Sequence, residues 1–275
     1  MKDIKYIFCD LDSTLLNDDK SLSPENITTI KSLNEKNVGF VITTGRMPFL
    51  IANIIDQLKG NYDVYSICTN GAIILKNKDC ILKKHSLDNK EVEYIKQIAI
   101  NNNLGMFVSS ENEIVCYNLD KIKETKLEGH VRLVELDLDD LNVFLEQTIY
   151  KMSLINKDVN KLLEAKEEIV NNLNLSVAFS TKNTIEIVAK GRNKGVGIKE
   201  FCDLKNISLD NTLSIGDNDN DYSMLSTTKY SATVKNGLEH IKDIVDYVSK
   251  ANNNEAAVSE IIKEFVFKQE DVNNE

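Results

Sequence analysis

Asp10 and Asp12 stand two residues apart, directly after the short apolar run of residues 6–9. A run of this length that ends in acids is typical of a buried strand in a parallel sheet. Ligands of such sheets collect just beyond the carboxyl ends of the strands. Two carboxylates this close repel each other unless a cation neutralises them. The pair therefore predicts a site for a hard metal ion, with one aspartate free to act as a nucleophile.

Two further apolar runs also end in polar residues. Residues 38–42 lead into Thr43-Thr44-Gly45-Arg46, and residues 213–215 lead into the acidic segment 216–221. Between them, Lys194 directly precedes a helical pattern of apolar residues. If the three strands are parallel neighbours, their polar ends meet at one edge of the sheet. Acids, hydroxyls and an ammonium group are then expected around one small volume.

This set of side chains suits phosphoryl transfer. Asp10 and Asp217 are carboxylate ligands of the kind that Mg²⁺ prefers, and Mg²⁺ keeps substrate phosphate in its coordination shell. Lys194 and the Thr44 hydroxyl can contact the remaining phosphate oxygens and reduce their repulsion of an attacking carboxylate. Asp12 then fits a general acid that protonates the leaving oxygen and later deprotonates the attacking water.

Composition narrows the class of partner. The net charge of −10 argues against nucleic acid and anionic membrane surfaces. Arg46 and Lys194 must therefore attract the phosphate, and Gly45 lets backbone N–H groups approach it closely. No apolar segment is long enough to span a bilayer, and no signal peptide is visible. The five scattered cysteines are typical of reduced residues in a cytoplasmic protein.

The pattern along the chain predicts an α/β fold with an insertion. A length of 275 residues suggests roughly two domains of about 150 residues each. Strand and helix patterns alternate at both ends of the sequence, which predicts a parallel sheet. From about residue 86 to residue 187, paired strands with two helices predict an α+β domain instead. The core is therefore expected over 1–84 and 188–275, with the inserted domain over 85–187.

Four motifs together carry a resemblance to a known family. In order they are Asp-x-Asp-x-Thr at 10–14, Thr-Gly-Arg at 44–46, Lys-Gly at 194–195 and Gly-Asp-x-x-Asn-Asp at 216–221. The sequence resembles the haloacid dehalogenase-like hydrolase superfamily. The wide gap before Lys194 places an insertion where the Cof-type phosphatases of that superfamily carry a type IIB cap. The resemblance implies a Rossmann-like core and a cap domain that sets substrate specificity.

The resemblance also implies a role for individual residues. Asp10 would be the nucleophile, Asp12 the acid and base, and Thr44 and Lys194 would hold the phosphoryl group. The metal would be Mg²⁺, and its ligands would be Asp10, Asp12 through its backbone carbonyl, Asp217 and Asp221. The residues expected to bind substrate are Thr44, Gly45, Arg46, Asn70, Gly71, Lys194 and Asn220.

The expected activity is Mg²⁺-dependent hydrolysis of small phosphorylated metabolites, such as sugar phosphates, through an aspartyl-phosphate. A phosphomutase and a non-catalytic sensor of phosphorylated metabolites are the alternatives. Ser13 stands where the family usually has glycine, which would add a side chain to the loop after the nucleophile. Thr43 is a rival for the role of Thr44, and Asn70-Gly71 could be only a turn.

The substrate itself is not named by any pattern in the sequence. Specificity is expected to come from the inserted domain, and the protein is expected to be a monomer or a weak homodimer. The candidate specificity residues in that domain are Tyr117, Lys121, His130 and Arg132.

Overall fold

The computed structural model describes residues 3–125 and 134–268, which form an α/β protein of two compact units. The first unit comprises the chain through Arg46, Leu50–Lys83 and the chain from Asn193 onward. The second comprises Met47–Phe49 and Lys84–Arg192. His130 and Arg132 lie outside the described residues.

The strands are numbered in chain order. They are β1 Tyr6–Cys9, β2 Gly39–Thr43, β3 Tyr65–Cys68, β4 Ile73–Lys76, β5 Cys80–Lys84, β6 Gly105–Ser109, β7 Ile114–Tyr117, β8 Val134–Glu135, β9 Lys151–Ile155, β10 Ser176–Thr181, β11 Thr184–Val188, β12 Thr212–Ile215, β13 Tyr230–Thr233 and β14 Tyr247–Val248. The α-helices are α1 Pro24–Ser32, α2 Ala52–Leu58, α3 Asn89–Asn101, α4 Leu119–Lys123, α5 Leu138–Phe144, α6 Val159–Asn172, α7 Lys194–Lys205, α8 Tyr222–Leu225, α9 Glu239–Lys242 and α10 Ala257–Ile262.

The first unit contains an eight-stranded sheet in the order β14-β13-β12-β1-β2-β3-β4-β5. The six strands from β14 to β3 are parallel, and β4 runs antiparallel to β3. As predicted, the three strands with polar ends are parallel neighbours. Cys9 at the end of β1 is level with Ile215 in β12 and with Ile42 in β2. The residues that follow these strands therefore emerge side by side.

One face of this sheet is covered by α7 and α8. Phe201 of α7 packs edge-on against Phe8 and Tyr65, with ring centroids 5.5 and 5.3 Å apart. Phe8 and Phe201 are fully buried, and burying a side chain of this size stabilises the fold by about 1.5–3 kcal/mol. This packing fixes the first turn of α7, where Lys194 lies, against the central strands.

Several elements differ from the sequence prediction. The sequence pattern predicts one helix near 254–267, but this segment consists of a 3₁₀ turn, α10 and a π-helical turn. Ala256 explains the first break, because its backbone is left-handed at φ 59° and so cannot continue a right-handed helix. The short elements β13, β14 and α2 had no clear pattern in the sequence, since each spans only two to seven residues.

The second unit is built on a six-stranded sheet in the order β10-β11-β9-β6-β7-β8. Helices α3, α5 and α6 cover one face and share a single apolar cluster with it. Helix α4 lies on the opposite face, where Ile122 packs with Cys116 and Ile155. This is the predicted α+β arrangement with one additional helix on the second face.

Within residues 3–125 and 134–268, no helix has the length and apolarity needed to cross a membrane.

Candidate active site

Three carboxylates and one ammonium group form a buried cluster at the carboxyl ends of β1 and β12. Oxygen atoms of Asp10, Asp217 and Asp221 lie within 4.8 Å of one another. Lys194 Nζ donates to Asp10 Oδ1 at 2.6 Å and to Asp221 Oδ1 at 2.5 Å. The Lys194 side chain is fully buried and Asp10 is 6% exposed. Residues that are up to 211 positions apart in sequence, Asp10 and Asp221, thus share one ammonium group.

Each member of the cluster is held by its local backbone. The Asp10 N–H donates to the carbonyl of Ile215 at 2.9 Å, so the parallel ladder continues one residue past β1. Lys194 is the first residue of α7, whose N-cap Asn193 accepts from the N–H of Val196. Asp221 Oδ2 accepts from the Asp217 N–H at 2.9 Å. These contacts aim the three side chains at the same point.

The cluster carries excess negative charge. Burial, together with the charges of Asp221 and Asp217, outweighs Lys194 and raises the pKa of Asp10 to about 8. Burial and the charge of Asp221 raise the pKa of Asp217 to about 6, although the Thr14 hydroxyl opposes this shift. Burial alone would lower the pKa of Lys194, but Asp10 and Asp221 raise it on balance. One ammonium group therefore does not neutralise the three carboxylates.

The donor set fits a hard divalent cation. Carboxylate oxygens are the ligands that Mg²⁺ prefers, and crowded acids with raised pKa values are groups that a cation would stabilise in ionised form. Asp10, Asp217 and Asp221 are the described residues that are placed to hold it.

The Asp12 carboxylate forms ion pairs with two basic side chains outside the cluster. Arg46 Nε donates to Asp12 Oδ2 at 2.8 Å, and Arg46 Nη2 donates to Oδ1 at 2.6 Å. Lys20 Nζ adds a third contact, at 2.9 Å from Oδ1. Burial by itself would raise the pKa of Asp12, but Arg46 and Lys20 outweigh it and lower that pKa. Arg46, which the sequence suggested as a phosphate ligand, thus binds the Asp12 carboxylate.

The loops after β2 and β3 form the other wall of the site. Thr44 donates its N–H to the Ile67 carbonyl at 2.8 Å, and its carbonyl accepts from the Asn70 N–H at 3.1 Å. The Thr44 hydroxyl accepts from the Arg46 N–H at 3.1 Å. A Cβ on Gly45 would lie 3.1 Å from Asn70 Oδ1. Thr44, Gly45 and Asn70 are therefore neighbours, as the strand order requires.

Gly71 brings this wall against the start of α7. Its φ is +89°, and a Cβ there would lie 2.2 Å from the Asn193 carbonyl oxygen. Only glycine fits both conditions. The Asn70-Gly71 turn therefore packs closely against the backbone of Asn193, the residue that directly precedes Lys194. In addition to reversing the chain, the turn supports the start of α7.

Two predicted residues lie apart from these contacts. Asn220 is exposed in the 3₁₀ turn Asp219–Asp221, whereas its neighbour Asp221 is fully buried. Thr43, the rival of Thr44, is fully buried, and its hydroxyl has no hydrogen-bond partner within the described ranges. The Thr44 hydroxyl, by contrast, is already oriented by the backbone of Arg46.

Two residues at the site had no assigned role in the sequence. Thr14 is fully buried and donates from Oγ1 to Asp217 Oδ1 at 2.6 Å. Lys20 reaches back from the same loop to Asp12. The threonine was visible as the last position of the Asp-x-Asp-x-Thr motif. Nothing in the spacing of Lys20 distinguished it from a solvated surface lysine.

Comparison with known proteins agrees with this geometry. The sequence profile of the haloacid dehalogenase-like hydrolases matches residues 7–262, from β1 to the end of α10. The chain belongs to this hydrolase family. It is 29% identical over 280 residues to an uncharacterized hydrolase of Schizosaccharomyces pombe, covering 95% of this chain and 91% of the relative.

A second relative has a named activity. The 5-amino-6-(5-phospho-D-ribitylamino)uracil phosphatase YwtE of Bacillus subtilis is 26% identical over 282 residues, covering 91% of this chain and 94% of that protein. Among solved structures, a haloacid dehalogenase-like hydrolase from Bacteroides thetaiotaomicron shares the fold with a TM-score of 0.82. That structure is 23% identical, and the match covers 95% of this chain and 99% of the other. The chain is thus an α/β hydrolase of this family along nearly its whole length.

Proposed function

We propose that this hydrolase is a Mg²⁺-dependent phosphatase that hydrolyses small phosphorylated metabolites through an aspartyl-phosphate on Asp10. The observation that carries the proposal is the single ammonium group of Lys194 between Asp10 and Asp221, with Asp217 in the same buried group. Such a cluster pairs a nucleophile with a cation that can hold a phosphate oxygen. The phosphatase name of the Bacillus subtilis relative supports the same reaction class.

The reaction proceeds in two displacements. An oxygen of Asp10 forms a bond to phosphorus while the bond from phosphorus to the ester oxygen breaks, and Asp12 supplies the proton that this oxygen takes. Water then attacks the phosphorus of the aspartyl-phosphate and gives a proton to Asp12. The bond from phosphorus to the Asp10 oxygen breaks, and this releases inorganic phosphate and restores the Asp10 carboxylate. Bound Mg²⁺, held by Asp10, Asp217, Asp221 and the Asp12 carbonyl, would neutralise phosphate charge.

Asp12 begins this cycle in ionised form. Arg46 and Lys20 hold its carboxylate and lower its pKa, so the resting site presents a base. The contacts to Arg46 must therefore loosen, and Asp12 must take up a proton from solvent, before it can act as the acid of the first displacement. The proton that it later takes from the attacking water returns to solvent when these contacts form again. Release of Arg46 would also free its guanidinium for substrate phosphate, as proposed from the sequence.

The first experiment measures phosphate release from p-nitrophenyl phosphate and from a panel of sugar and polyol phosphates, with Mg²⁺ and with EDTA. The panel includes the substrate named for the Bacillus subtilis relative. Mg²⁺-dependent release is the expected result. Transfer of the phosphoryl group to a second sugar hydroxyl would identify a mutase, and tight binding without turnover would identify a sensor.

The Asp12→Asn variant is expected to lose about 10²–10⁴-fold in turnover of an alkyl phosphate, because its leaving oxygen needs a proton. With p-nitrophenyl phosphate, the rate of the first displacement should fall much less, because p-nitrophenolate departs without taking a proton. The phosphoenzyme should then accumulate as an initial burst of p-nitrophenol, which stopped-flow absorbance measures. Equal losses on both substrates and no burst would remove the acid and base role of Asp12.

Mg²⁺ is expected to stabilise the protein more at higher pH. In the metal-free protein, the raised pKa values of Asp10 (about 8) and Asp217 (about 6) mean that the folded state binds more protons than the unfolded state above the ordinary pKa of 3.8. The stability from these two groups is therefore present at low pH and is lost as the pH rises through about 6 and about 8. Mg²⁺ competes with those protons.

Thermal unfolding with Mg²⁺ and with EDTA, at about pH 5.5 and about pH 8, measures this linkage. We expect the gain in Tm from Mg²⁺ to be at least about twice as large at the higher pH. The Asp217→Asn variant is the control, and it should lose most of the gain in Tm from Mg²⁺ at both pH values. A gain in the wild type that is independent of pH would contradict the assignment of these carboxylates to the metal.

The inserted domain over 85–187 is proposed to set substrate specificity. Two of its candidate residues are already engaged within the second unit. Lys121 Nζ donates to Glu124 at 2.8 Å, and Tyr117 packs against the apolar cluster under the sheet. Exchanging this domain with that of a relative should therefore change the ranking of the phosphate panel, while the requirement for Asp10 stays.

A further inference from the structure

The turn that carries Asp12 has an unusual backbone. Residues Leu11–Leu15 form one irregular helical turn, which the Leu16 N–H closes onto the Leu11 carbonyl at 2.8 Å. Within it, Ser13 has φ 60° and ψ 6°, in the left-handed region. A residue with a Cβ is uncommon in this region. Ser13 lies between Asp12 and Thr14, so its conformation sets the direction of both neighbouring side chains.

Three asparagine side chains hold the carbonyls of this turn from outside. Asn236 Nδ2 donates to the Ser13 carbonyl at 2.8 Å. Asn26 Nδ2 donates to the Leu15 carbonyl at 3.3 Å, and Asn253 Nδ2 donates to the Leu16 carbonyl at 3.0 Å. Carbonyls that a regular helix would use internally are thus bonded to three other parts of the first unit.

The asparagines are themselves fixed in place. Asn236 Oδ1 accepts from the Asn253 N–H at 3.0 Å, and Asn26 Oδ1 accepts from the Ser259 N–H at 2.9 Å. Asn26 is fully buried and Asn253 is 3% exposed, whereas Asn236 lies at the surface. Each amide therefore uses its oxygen or its backbone to anchor itself and its nitrogen to hold the turn. We refer to Asn26, Asn236 and Asn253 as the asparagine frame.

We propose that Asn236, supported by the asparagine frame, is a positioning residue that keeps Ser13 left-handed and so aims Asp12 and Thr14. The inference rests on the proposed function for the role of Asp12. Thr14 donates to Asp217, a proposed metal ligand, at 2.6 Å. The backbone conformation of Ser13 therefore orients both Asp12, the proposed acid and base, and the threonine that contacts this ligand. Without the amide of Asn236, a serine at this position would move toward a right-handed or extended backbone, which is favoured for residues with a Cβ.

The test is a double-mutant cycle between Asn236→Ala and Ser13→Gly. Because glycine adopts positive φ without steric cost, a glycine at position 13 should hold the turn without help from Asn236. In the wild-type background, Asn236→Ala should lower kcat about tenfold with little change in KM, as expected for a misplaced catalytic group. In the Ser13→Gly background, the same change should cost about twofold or less.

Hydrogen exchange at the amides of residues 12–16 gives a readout that does not require activity. Asn236→Ala should speed exchange there, and Ser13→Gly should restore the slower rate in the double variant. Asn34→Ala, at an exposed asparagine before β2, is the matched control and should change neither kcat nor exchange. All kinetics are measured well below the Tm of each variant, so that a loss of global stability does not enter.

The outcomes separate the two proposals. If the wild type hydrolyses no phosphate ester but exchange at 12–16 responds as described, the proposed function fails and the positioning of the turn stands. If Asn236→Ala lowers kcat equally in both backgrounds, or leaves exchange at 12–16 unchanged, Asn236 does not position Ser13 and the inference is overturned.

Discussion

Asp10→Asn is expected to lower turnover of every phosphate ester by at least about four orders of magnitude. An amide of nearly the same shape cannot attack phosphorus, so the loss should fall on kcat while the protein stays folded. Removing one of three crowded carboxylates also leaves Lys194 paired with Asp221, so the metal-free variant should be at least as stable as the wild type. Steady-state kinetics and acid quenching with a ³²P-labelled substrate measure turnover and the covalent intermediate.

Asp219→Asn is the matched control for this change. It removes the same charge, from the acidic segment 216–221 that supplies Asp217 and Asp221, but the Asp219 side chain is 71% exposed and pairs with His240. Its turnover should stay within about twofold of the wild type, as for most exposed substitutions. Acid-stable label on the Asp10→Asn protein, or a kcat above about a tenth of the wild-type value, would place the nucleophile elsewhere.

Lys194→Met is expected to damage both activity and stability. The substitution keeps a long side chain but leaves Asp10 and Asp221 without their shared ammonium group. Breaking a buried ion pair by removing one partner costs about 3–5 kcal/mol in the free energy of unfolding. Loss of a donor that stabilises charge in the transition state lowers kcat by about 10²–10³-fold. Urea denaturation in EDTA, together with steady-state kinetics in Mg²⁺, measures the two effects separately.

A second substitution tests the reason for this loss. In a background with Asp221→Asn, Lys194→Met should cost much less stability, because one of the two unpaired carboxylates is gone. Lys199→Met, at an exposed lysine of the same helix, controls for the change of residue type. If Lys194→Met is as stable as Lys199→Met in EDTA, the ammonium group does not neutralise the cluster.

The part of the site that follows strand ends could be predicted from the sequence. Asp10, Thr44 and Asp217 each follow a short apolar run, and parallel pairing brings such ends to one edge regardless of the distance between them in the chain. Lys194 was found through its place before a helix. These signals are local, so a single sequence contains them.

The contacts that depend on side-chain pairing between distant loops could not be predicted. Asn236 and Ser13 are far apart in sequence, and an exposed asparagine after a strand looks the same whether or not its amide holds another loop. The pairing of Arg46 with Asp12 was missed for a related reason, since both residues were assigned to substrate chemistry and not to each other. Periodicity indicates which face of an element is buried, but it carries no information on which polar groups meet.

The order of the strands has a consequence for biosynthesis. β1 is central in its sheet, yet its neighbour β12 follows about two hundred residues later in the chain. Closing so long a loop is entropically costly, and a prior folding of the inserted segment would shorten the effective loop. The ribosome therefore adds Asp10, the proposed nucleophile, about two hundred residues before the carboxylates of Asp217 and Asp221, which follow β12. A nascent chain that stops before residue 217 carries Asp10 without either partner carboxylate, so the buried cluster can form only after both chain segments have been made.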